Sequence, residues 1–291
     1  MVQSNKTGTQ ALVLGGGGVA GVAWELGILL GLHEAGVDVR NADIIIGTSA
    51  GSMVGAQITS GVDLESLFAS QLTPVEQSNE RMVTFDPSQM MEAFRQAGVG
   101  DEIDSKVRRA RIGAYALAAP TISEAERRVS IEARLPVHSW PQRNLLIVAV
   151  DAETGEEYLM DREAGLSLVD AVAASCAVPG IRPTVTIAGH RYMDGGVRSA
   201  TNADLAKDYD RILILNPLGA NANFFGNGPA KEATDLERRG SQVLLIEPDA
   251  ASIAAIGQNP LNRATRVPSA LAGRTQGRKL VASVAGFWSH I

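Results

Sequence analysis

The chain has 291 residues, enough for one large domain or two small ones with a substantial buried core. Its composition is that of an ordinary globular protein, and its net charge of −6 argues against a nucleic-acid-binding surface. The polar start lacks the pattern of a secretion signal, no stretch is apolar enough for a membrane span, and the single cysteine excludes an internal disulfide framework. We therefore expect a cytoplasmic protein.

Short apolar runs alternate with helical patterns in the first part of the chain. Residues 11–14 (ALVL) predict a buried strand, and residues 19–35 predict a largely buried helix ended by Gly36. Residues 43–46 (DIII) predict a second buried strand, which leads through the sequence GTSAGS into another helix.

The middle and the end of the chain extend this alternation. Residues 62–134 are more polar with helical spacing and no flanking linker, which predicts a helical insertion or lid. Further strands are expected at 144–151, 156–161, 211–216 and 242–249, a helix at 167–178, a hairpin at 184–196 and a helical tail at 250–291. The pattern predicts one α/β domain over residues 8–291, with three α/β/α layers on a mostly parallel sheet.

Charge is unevenly distributed between the body and this tail. Residues 250–291 contain five Lys or Arg and no Asp or Glu, so the first 249 residues carry −11. One interpretation is a peripheral contact with an anionic membrane surface or partner, and the other is an ordinary solvated helix face.

The motif Gly47-Thr48-Ser49-Ala50-Gly51 fits G-x-S-x-G and lies directly between a predicted strand and a predicted helix. That turn needs small residues and exposes the serine hydroxyl at the carboxyl edge of the sheet. The Ala50 N–H would lie at a helix N-terminus, where it can donate to a developing oxyanion. We predict that Ser49 is a nucleophile; the alternative is a Gly/Ser-rich turn that caps a helix.

A second glycine-rich loop, residues 15–18, also lies between a strand and a helix. Its backbone can approach a ligand closely and presents N–H groups at the positive end of the helix. One interpretation is a dinucleotide site, because Gly16, Gly18 and Gly21 fit G-x-G-x-x-G, but the next strand does not end in the acidic residue that would hold a ribose. The other is an oxyanion hole on a loop separate from that of the nucleophile.

The partner of Ser49 is less evident from spacing. The chain has four histidines, none in a triad or metal-binding pattern: His33, His138, His190 and His290. Asp194, followed by Gly195 and Gly196, could accept the serine proton directly if burial raises its basicity. The alternative is an ordinary Asp-Gly turn.

Three motifs in order, residues 14–21 (LGGGGVAG), 47–52 (GTSAGS) and 194–196 (DGG), resemble the patatin-like phospholipase family over about residues 11–216. The resemblance implies a patatin-like three-layer fold and a Ser-Asp dyad, with Ser49 as nucleophile and Asp194 as base and no catalytic histidine. It implies hydrolysis of lipid acyl esters without metal or cofactor. It assigns the oxyanion hole to the backbone of Gly16, Gly17 and Gly18, to which the Ala50 N–H at the helix N-terminus would add. The remaining glycines of the motifs are expected to support them: Gly21, Gly47, Gly51, Gly195 and Gly196.

One position departs from the family pattern. Members usually carry Arg or Lys where this chain has Ala20. The backbone N–H donors are unaffected by this change, but a positive charge near the acyl or phosphate group is lost. This loss weakens the case for phospholipid as the substrate. The alternatives are a catalytically silent lipid-binding or regulatory protein of the same fold, and an acyltransferase.

Four further expectations concern single side chains. Glu25 is expected at a solvent-exposed edge of the first helix, with a position near the site as the alternative. Cys176 is expected to be a buried, unreactive thiol. Asn202 is expected to cap a following helix. Phe287 and Trp288 are expected to pack back onto the body of the protein, with insertion into a membrane interface as the alternative.

Overall fold

The computed structural model describes residues 8–73, 87–98, 103–219 and 228–288. Within these ranges the chain forms one eight-stranded sheet. The strands are β1 (Gln10–Leu14), β2 (Ile44–Thr48), β3 (Leu145–Asp151), β4 (Glu157–Met160), β5 (Val185–Ile187), β6 (His190–Asp194), β7 (Arg211–Leu215) and β8 (Gln242–Ile246).

Helices follow most of these strands, as the alternation predicts. They are α1 (Gly18–His33), α2 (Ala50–Ile58), α3 (Leu64–Leu72), α4 (Pro87–Gln96), α5 (Ser105–Ala118), α6 (Glu124–Glu132), α7 (Leu168–Ser175), α8 (Pro229–Arg238), α9 (Ala250–Ile256) and α10 (Arg266–Trp288). The helix expected at 167–178 is shorter, because its last turn ends at Cys176, before Pro179.

The sheet is mostly parallel. Strands β3, β2, β1, β7 and β8 pair in parallel in that order, while β4 and β6 pair antiparallel with β3, and β5 with β6. Alternate residues of β1 pack into two different hydrophobic cores, one on each face of the sheet. Leu12 and Leu14 face α1, α2, α7 and α10, whereas Ala11 and Val13 belong to the core beneath α8. The predicted three-layer α/β/α fold is therefore confirmed.

Strands β2 and β6 share one edge of β3. Thr48 of β2 pairs with Val148, and Asp194 of β6 pairs with the next residue, Ala149. Strand β4 pairs with both of these β3 residues and so occupies the opposite edge. Because β2 runs parallel to β3 and β6 runs antiparallel, the two strands end facing each other. This register brings the residue after Thr48 close to Asp194.

The polar middle of the chain is helical, as predicted, although residues 74–86 and 99–102 lie outside the described ranges. Its helices pack against the central sheet and against the helices that cover it. Helix α3 packs against α1 and α10, α5 against β3, and α6 against α7.

Helix α10 packs along α1 through glycines on both helices. A Cβ on Gly27 would lie 2.4 Å from the Ala270 carbonyl oxygen, and a Cβ on Gly273 would lie 2.4 Å from that of Trp24. Side-chain-free positions let two helix backbones approach this closely. The C-terminal helix is therefore fitted to the helix that follows the glycine-rich loop.

Most of the basic tail is paired with acidic residues of the body. Arg274 and Arg278 form ion pairs with Glu34, and Lys279 pairs with Asp249. Trp288 is buried in the larger core and Phe287 packs against it, as expected. These contacts favour the solvated-helix interpretation of the tail. No helix in the described ranges combines the length and apolarity needed to cross a membrane.

Candidate active site

Ser49 lies in a sharp turn between β2 and α2, with φ 53° and ψ −113°. A non-glycine residue holds such a backbone only where its surroundings fix it. The Ser49 N–H donates to Ser175 Oγ at 2.9 Å. Its carbonyl accepts from Ser52 Oγ at 2.7 Å and from Cys176 Sγ at 3.1 Å. Three side chains, two of them at the end of α7, thus fix the turn.

The glycines on either side of Ser49 are required by close backbone contacts. A Cβ on Gly51 would lie 2.0 Å from the Leu14 carbonyl oxygen, and one on Gly47 would lie 2.7 Å from the Gly51 carbonyl oxygen. The turn could not fold back against β1 with larger residues. The predicted placement of this motif between a strand and a helix is what the structure contains.

Ser49 and Asp194 are in direct contact. Ser49 Oγ donates to Asp194 Oδ2 at 2.7 Å, and Asp194 Oδ1 accepts from the Gly196 N–H at 2.7 Å. Ser49 is 8% exposed and Asp194 is 4% exposed. A Cβ on Gly195 would lie 2.3 Å from the Val148 carbonyl oxygen, so this position also needs glycine.

Burial changes the acidity of Asp194. Loss of solvent raises the pKa of its carboxyl group from 3.8 to about 7, against smaller lowering contributions from the Gly196 N–H, the Ser49 hydroxyl and the charge of Arg127. A carboxylate with a pKa near neutrality is a far stronger base than an exposed aspartate. The site therefore holds a serine hydroxyl hydrogen-bonded to a carboxylate of raised basicity.

The glycine-rich loop adjoins the serine, but one of its predicted donors is already engaged. A Cβ on Gly16 would lie 3.7 Å from Ser49 Cβ. The Gly16 N–H, however, donates to the Ala200 carbonyl at 2.8 Å, so the prediction of Gly16 as an oxyanion donor is corrected. The candidate donors are then the N–H groups of Gly17 and Gly18 at the start of α1 and of Ala50 at the start of α2.

A segment just before α10 covers the start of α1. The Ala20 N–H donates to the Pro260 carbonyl at 2.9 Å, and a Cβ on Gly18 would lie 2.8 Å from Leu261 Cδ2. Ala20, the position where family members usually carry a basic residue, is fully buried. Nothing in the sequence pattern of residues 257–265 predicts this contact.

Two of the described histidines bond to residues other than Ser49 and Asp194, and His290 lies outside the described residues. His190 Nδ1 contacts Asp151 Oδ2 at 3.2 Å, and His138 Nε2 contacts the Glu132 carbonyl at 3.0 Å. Within the described ranges, His, Cys, Asp and Glu side chains form no cluster suited to a metal ion.

The structure changes two single-residue expectations. Asn202 occupies the N-cap position of the short 3₁₀ turn at Ala203–Ala206, but its side chain makes no capping hydrogen bond and points instead to β2 and the Asp194 loop. Glu25 is 0% exposed, rather than at a solvent edge, since both faces of α1 are covered. Neither Glu25 oxygen has a hydrogen-bond partner of good geometry among the described residues, and burial raises its pKa more than the Gly15 backbone lowers it.

We expect Glu25→Leu to raise the free energy of unfolding by about 1–3 kcal/mol at pH 8, because it removes a buried carboxyl group whose oxygens lack well-formed hydrogen bonds. Because its folded-state pKa is raised, wild-type stability falls as pH rises above 4.5, and the difference should be smaller at pH 5. Urea unfolding at both pH values measures it. The matched control is Glu232→Leu, which should destabilise, because buried Glu232 accepts from Thr201 Oγ1 at 2.6 Å. If wild type and Glu25→Leu differed in stability by the same amount at pH 5 and pH 8, the raised pKa of Glu25 would be contradicted.

The fold and site define a class of protein: an α/β protein with a serine on a strand-to-helix turn, adjoined by a glycine-rich loop. The family model for patatin-like phospholipase matches residues 12–207. The chain belongs to the patatin-like phospholipase family, which confirms the resemblance in the three motifs.

Several solved structures are similar to this chain, at low sequence identity. VipD from Legionella pneumophila is 13% identical, with a TM-score of 0.46; the match covers 95% of this chain and 67% of that one. The type III effector ExoU is 15% identical, with a TM-score of 0.43, and the match covers 95% of this chain and 53% of the ExoU chain. ExoU in complex with SpcU from Pseudomonas aeruginosa is 16% identical, with a TM-score of 0.38 and coverage of 93% and 52%. This chain spans about half the length of the ExoU chains.

Proposed function

We propose that this protein is a serine-dependent lipid acyl hydrolase that uses Ser49 and Asp194 as a catalytic dyad. The observation that carries the proposal is the 2.7 Å hydrogen bond between Ser49 Oγ and a buried Asp194 carboxylate. Membership of the patatin-like phospholipase family supports a lipid ester as the substrate class.

In the first half-reaction, Ser49 Oγ attacks the ester carbonyl carbon while Asp194 accepts the hydroxyl proton. The carbonyl oxygen becomes an oxyanion, which the N–H groups of Gly17, Gly18 and Ala50 stabilise. The tetrahedral intermediate collapses, the bond to the leaving alcohol breaks, and protonated Asp194 returns its proton to that alcohol. Ser49 is left as an acyl ester.

In the second half-reaction, water attacks the acyl-enzyme as Asp194 accepts its proton. Collapse of this intermediate breaks the bond to Ser49 Oγ, which regains the proton from Asp194, and a free fatty acid is released. An acyl acceptor other than water would make the same site an acyltransferase, so product analysis distinguishes the two activities.

The absence of a basic side chain at Ala20 bears on the head group. A buried alanine supplies no charge, which favours an ester site that recognises its substrate without a cation at this position. We propose that simple acyl esters and lysolipids are hydrolysed as well as phospholipids. We further propose a single acyl-hydrolase domain over residues 8–291, with 62–134 as its helical insertion, working in the cytoplasm with peripheral access to membranes.

A fluorophosphonate probe tests the proposal without knowledge of the lipid. We expect covalent labelling of Ser49, located by peptide mass spectrometry, together with hydrolysis of p-nitrophenyl esters and fatty-acid release from phospholipid vesicles. No labelling and no hydrolysis would instead favour a catalytically silent lipid-binding protein.

The pH dependence of hydrolysis follows from the raised pKa of Asp194. Asp194 must be ionised to accept the serine proton, so kcat/KM should rise with pH and reach half its plateau near pH 7. Initial rates with a p-nitrophenyl ester between pH 5 and pH 9 measure the profile. As a control, Asp151→Asn removes another buried carboxylate and should leave the inflection in place. A rate independent of pH over this range would contradict Asp194 as the base.

A further inference from the structure

We propose that Asn202 is a positioning residue that holds the Ser49 turn and the Asp194 loop at their working separation. The inference rests on the proposed function, because it concerns the geometry of the same dyad. Asn202 is 0% exposed and lies in the loop between β6 and β7.

The side-chain amide of Asn202 contacts both halves of the site. Its Nδ2 donates to Thr48 Oγ1 at 2.9 Å, and Thr48 directly precedes the nucleophile. The same nitrogen lies 3.3 Å from the Gly195 carbonyl, which directly follows the base, and 2.9 Å from the Ser199 carbonyl. One amide group therefore joins the residue before Ser49 to the residue after Asp194.

Two further contacts fix the orientation of this amide. Asn202 Oδ1 accepts from Arg198 Nη1 at 2.7 Å, so the donor nitrogen is directed to the dyad side. Arg198 is itself held by Asp204, at 2.6 Å, and by Glu157 of β4. The Asn202 N–H donates to Ser199 Oγ at 3.0 Å.

The backbone conformation at this position also favours asparagine over most other residues. Asn202 has φ 52° and ψ 34°, a left-handed conformation that Asn and Asp adopt more readily than other non-glycine residues. Aspartate can therefore replace it without backbone strain, and it would retain the acceptor for Arg198. It would lack the Nδ2 donors, so Asn202→Asp removes the bonds to the Gly195 and Ser199 carbonyls. The Thr48 hydroxyl could then contact residue 202 only by donating to its carboxylate.

The bridge matters because β2 and β6 do not pair with each other. Their ends are related through the shared edge of β3, and Asn202 adds a direct link across the gap. A displacement of about 1 Å between reacting groups can cost about 100-fold in rate. A link of this kind affects the chemical step more than substrate binding.

The test uses Asn202→Asp, Thr48→Val and the double variant. Thr48→Val breaks the Thr48 end of the link, together with a longer bond of 3.3 Å to the Thr201 carbonyl, and a β-branched residue keeps the strand intact. We expect each single variant to lower kcat about 10- to 100-fold with little change in KM, and to slow fluorophosphonate labelling of Ser49 in parallel. The double variant should lose little more than either single variant, because both remove one link.

Thr201→Val is the matched control. It removes a neighbouring buried hydroxyl, which donates to Glu232, and should lower the melting temperature while kcat stays near the wild-type value. Wild-type kcat in Asn202→Asp and Thr48→Val, or additive losses in the double variant, would overturn the positioning role. If the wild-type protein is not labelled by the fluorophosphonate and hydrolyses no ester, the proposed function is wrong, and this inference is wrong with it. If the wild-type protein is labelled and the Asn202 and Thr48 variants react as fast as it does, only this inference is wrong.

Discussion

Asp194→Asn and Ser49→Ala should each lower kcat/KM for ester hydrolysis by about 10⁴-fold or more while the protein stays folded. Asparagine can accept the Gly196 N–H and contact Ser49 Oγ as Asp194 does, but it cannot take up the serine proton. Alanine at position 49 removes the attacking oxygen. Steady-state kinetics with a p-nitrophenyl ester, together with circular dichroism, measure the two effects separately.

The stability of the Asp194→Asn variant provides an independent check. The folded-state pKa of Asp194 is raised, so this carboxylate contributes less to wild-type stability as pH rises from 3.8 to about 7. The variant should therefore melt higher than wild type at pH 8. Asp151→Asn is the control that should keep activity. Near-wild-type activity in Asp194→Asn would disprove the dyad.

The largest expected effect on stability comes from the contact between α1 and α10. Gly273→Ala places a Cβ 2.4 Å from the Trp24 carbonyl oxygen and 3.0 Å from its Cα, so the helices must separate. We expect the free energy of unfolding to fall by about 3 kcal/mol or more, at the upper end for overpacked interiors. Urea unfolding with fluorescence detection measures the change.

Gly286→Ala is the control within the same helix. A Cβ there meets nothing within 4 Å, and alanine favours a helix over glycine, so this variant should gain up to about 1 kcal/mol. The two substitutions are chemically identical and should act in opposite directions. Similar unfolding midpoints for both variants would show that α10 is not closely fitted to α1.

The order of elements could be predicted because it depends on local patterns. Apolar runs of strand length, the glycines around Ser49 and the polar helical middle each leave a signal within a few residues. The approach of Asp194 to Ser49 has no such signal, since the two are 145 positions apart and their strands meet only through β3. The resemblance to a family supplied that pairing before the structure did.

The errors have a common physical origin in long-range packing. Glu25 looked like an exposed acid on one helix, but α1 is buried along almost its whole length and the Glu25 carboxyl lies near the backbone of Gly15. Gly16 looked like a free donor, but the Ala200 carbonyl occupies its N–H. Asn202 looked like a cap because asparagine favours that role locally, and its contacts with Thr48 and Gly195 depend on the assembled sheet.

The shared edge of β3 has a consequence for how this site can change. The spacing between the two strand ends is one residue step along β3, from Val148 to Ala149, or about 3.3 Å. Side chains on β3 can therefore vary as long as the cores accept them, whereas a residue inserted between Val148 and Ala149 would shift Asp194 by a full step relative to Ser49. Redesign of the dyad spacing, in the laboratory or by natural variation, is thus limited to whole-residue changes in a strand that supplies neither reacting group.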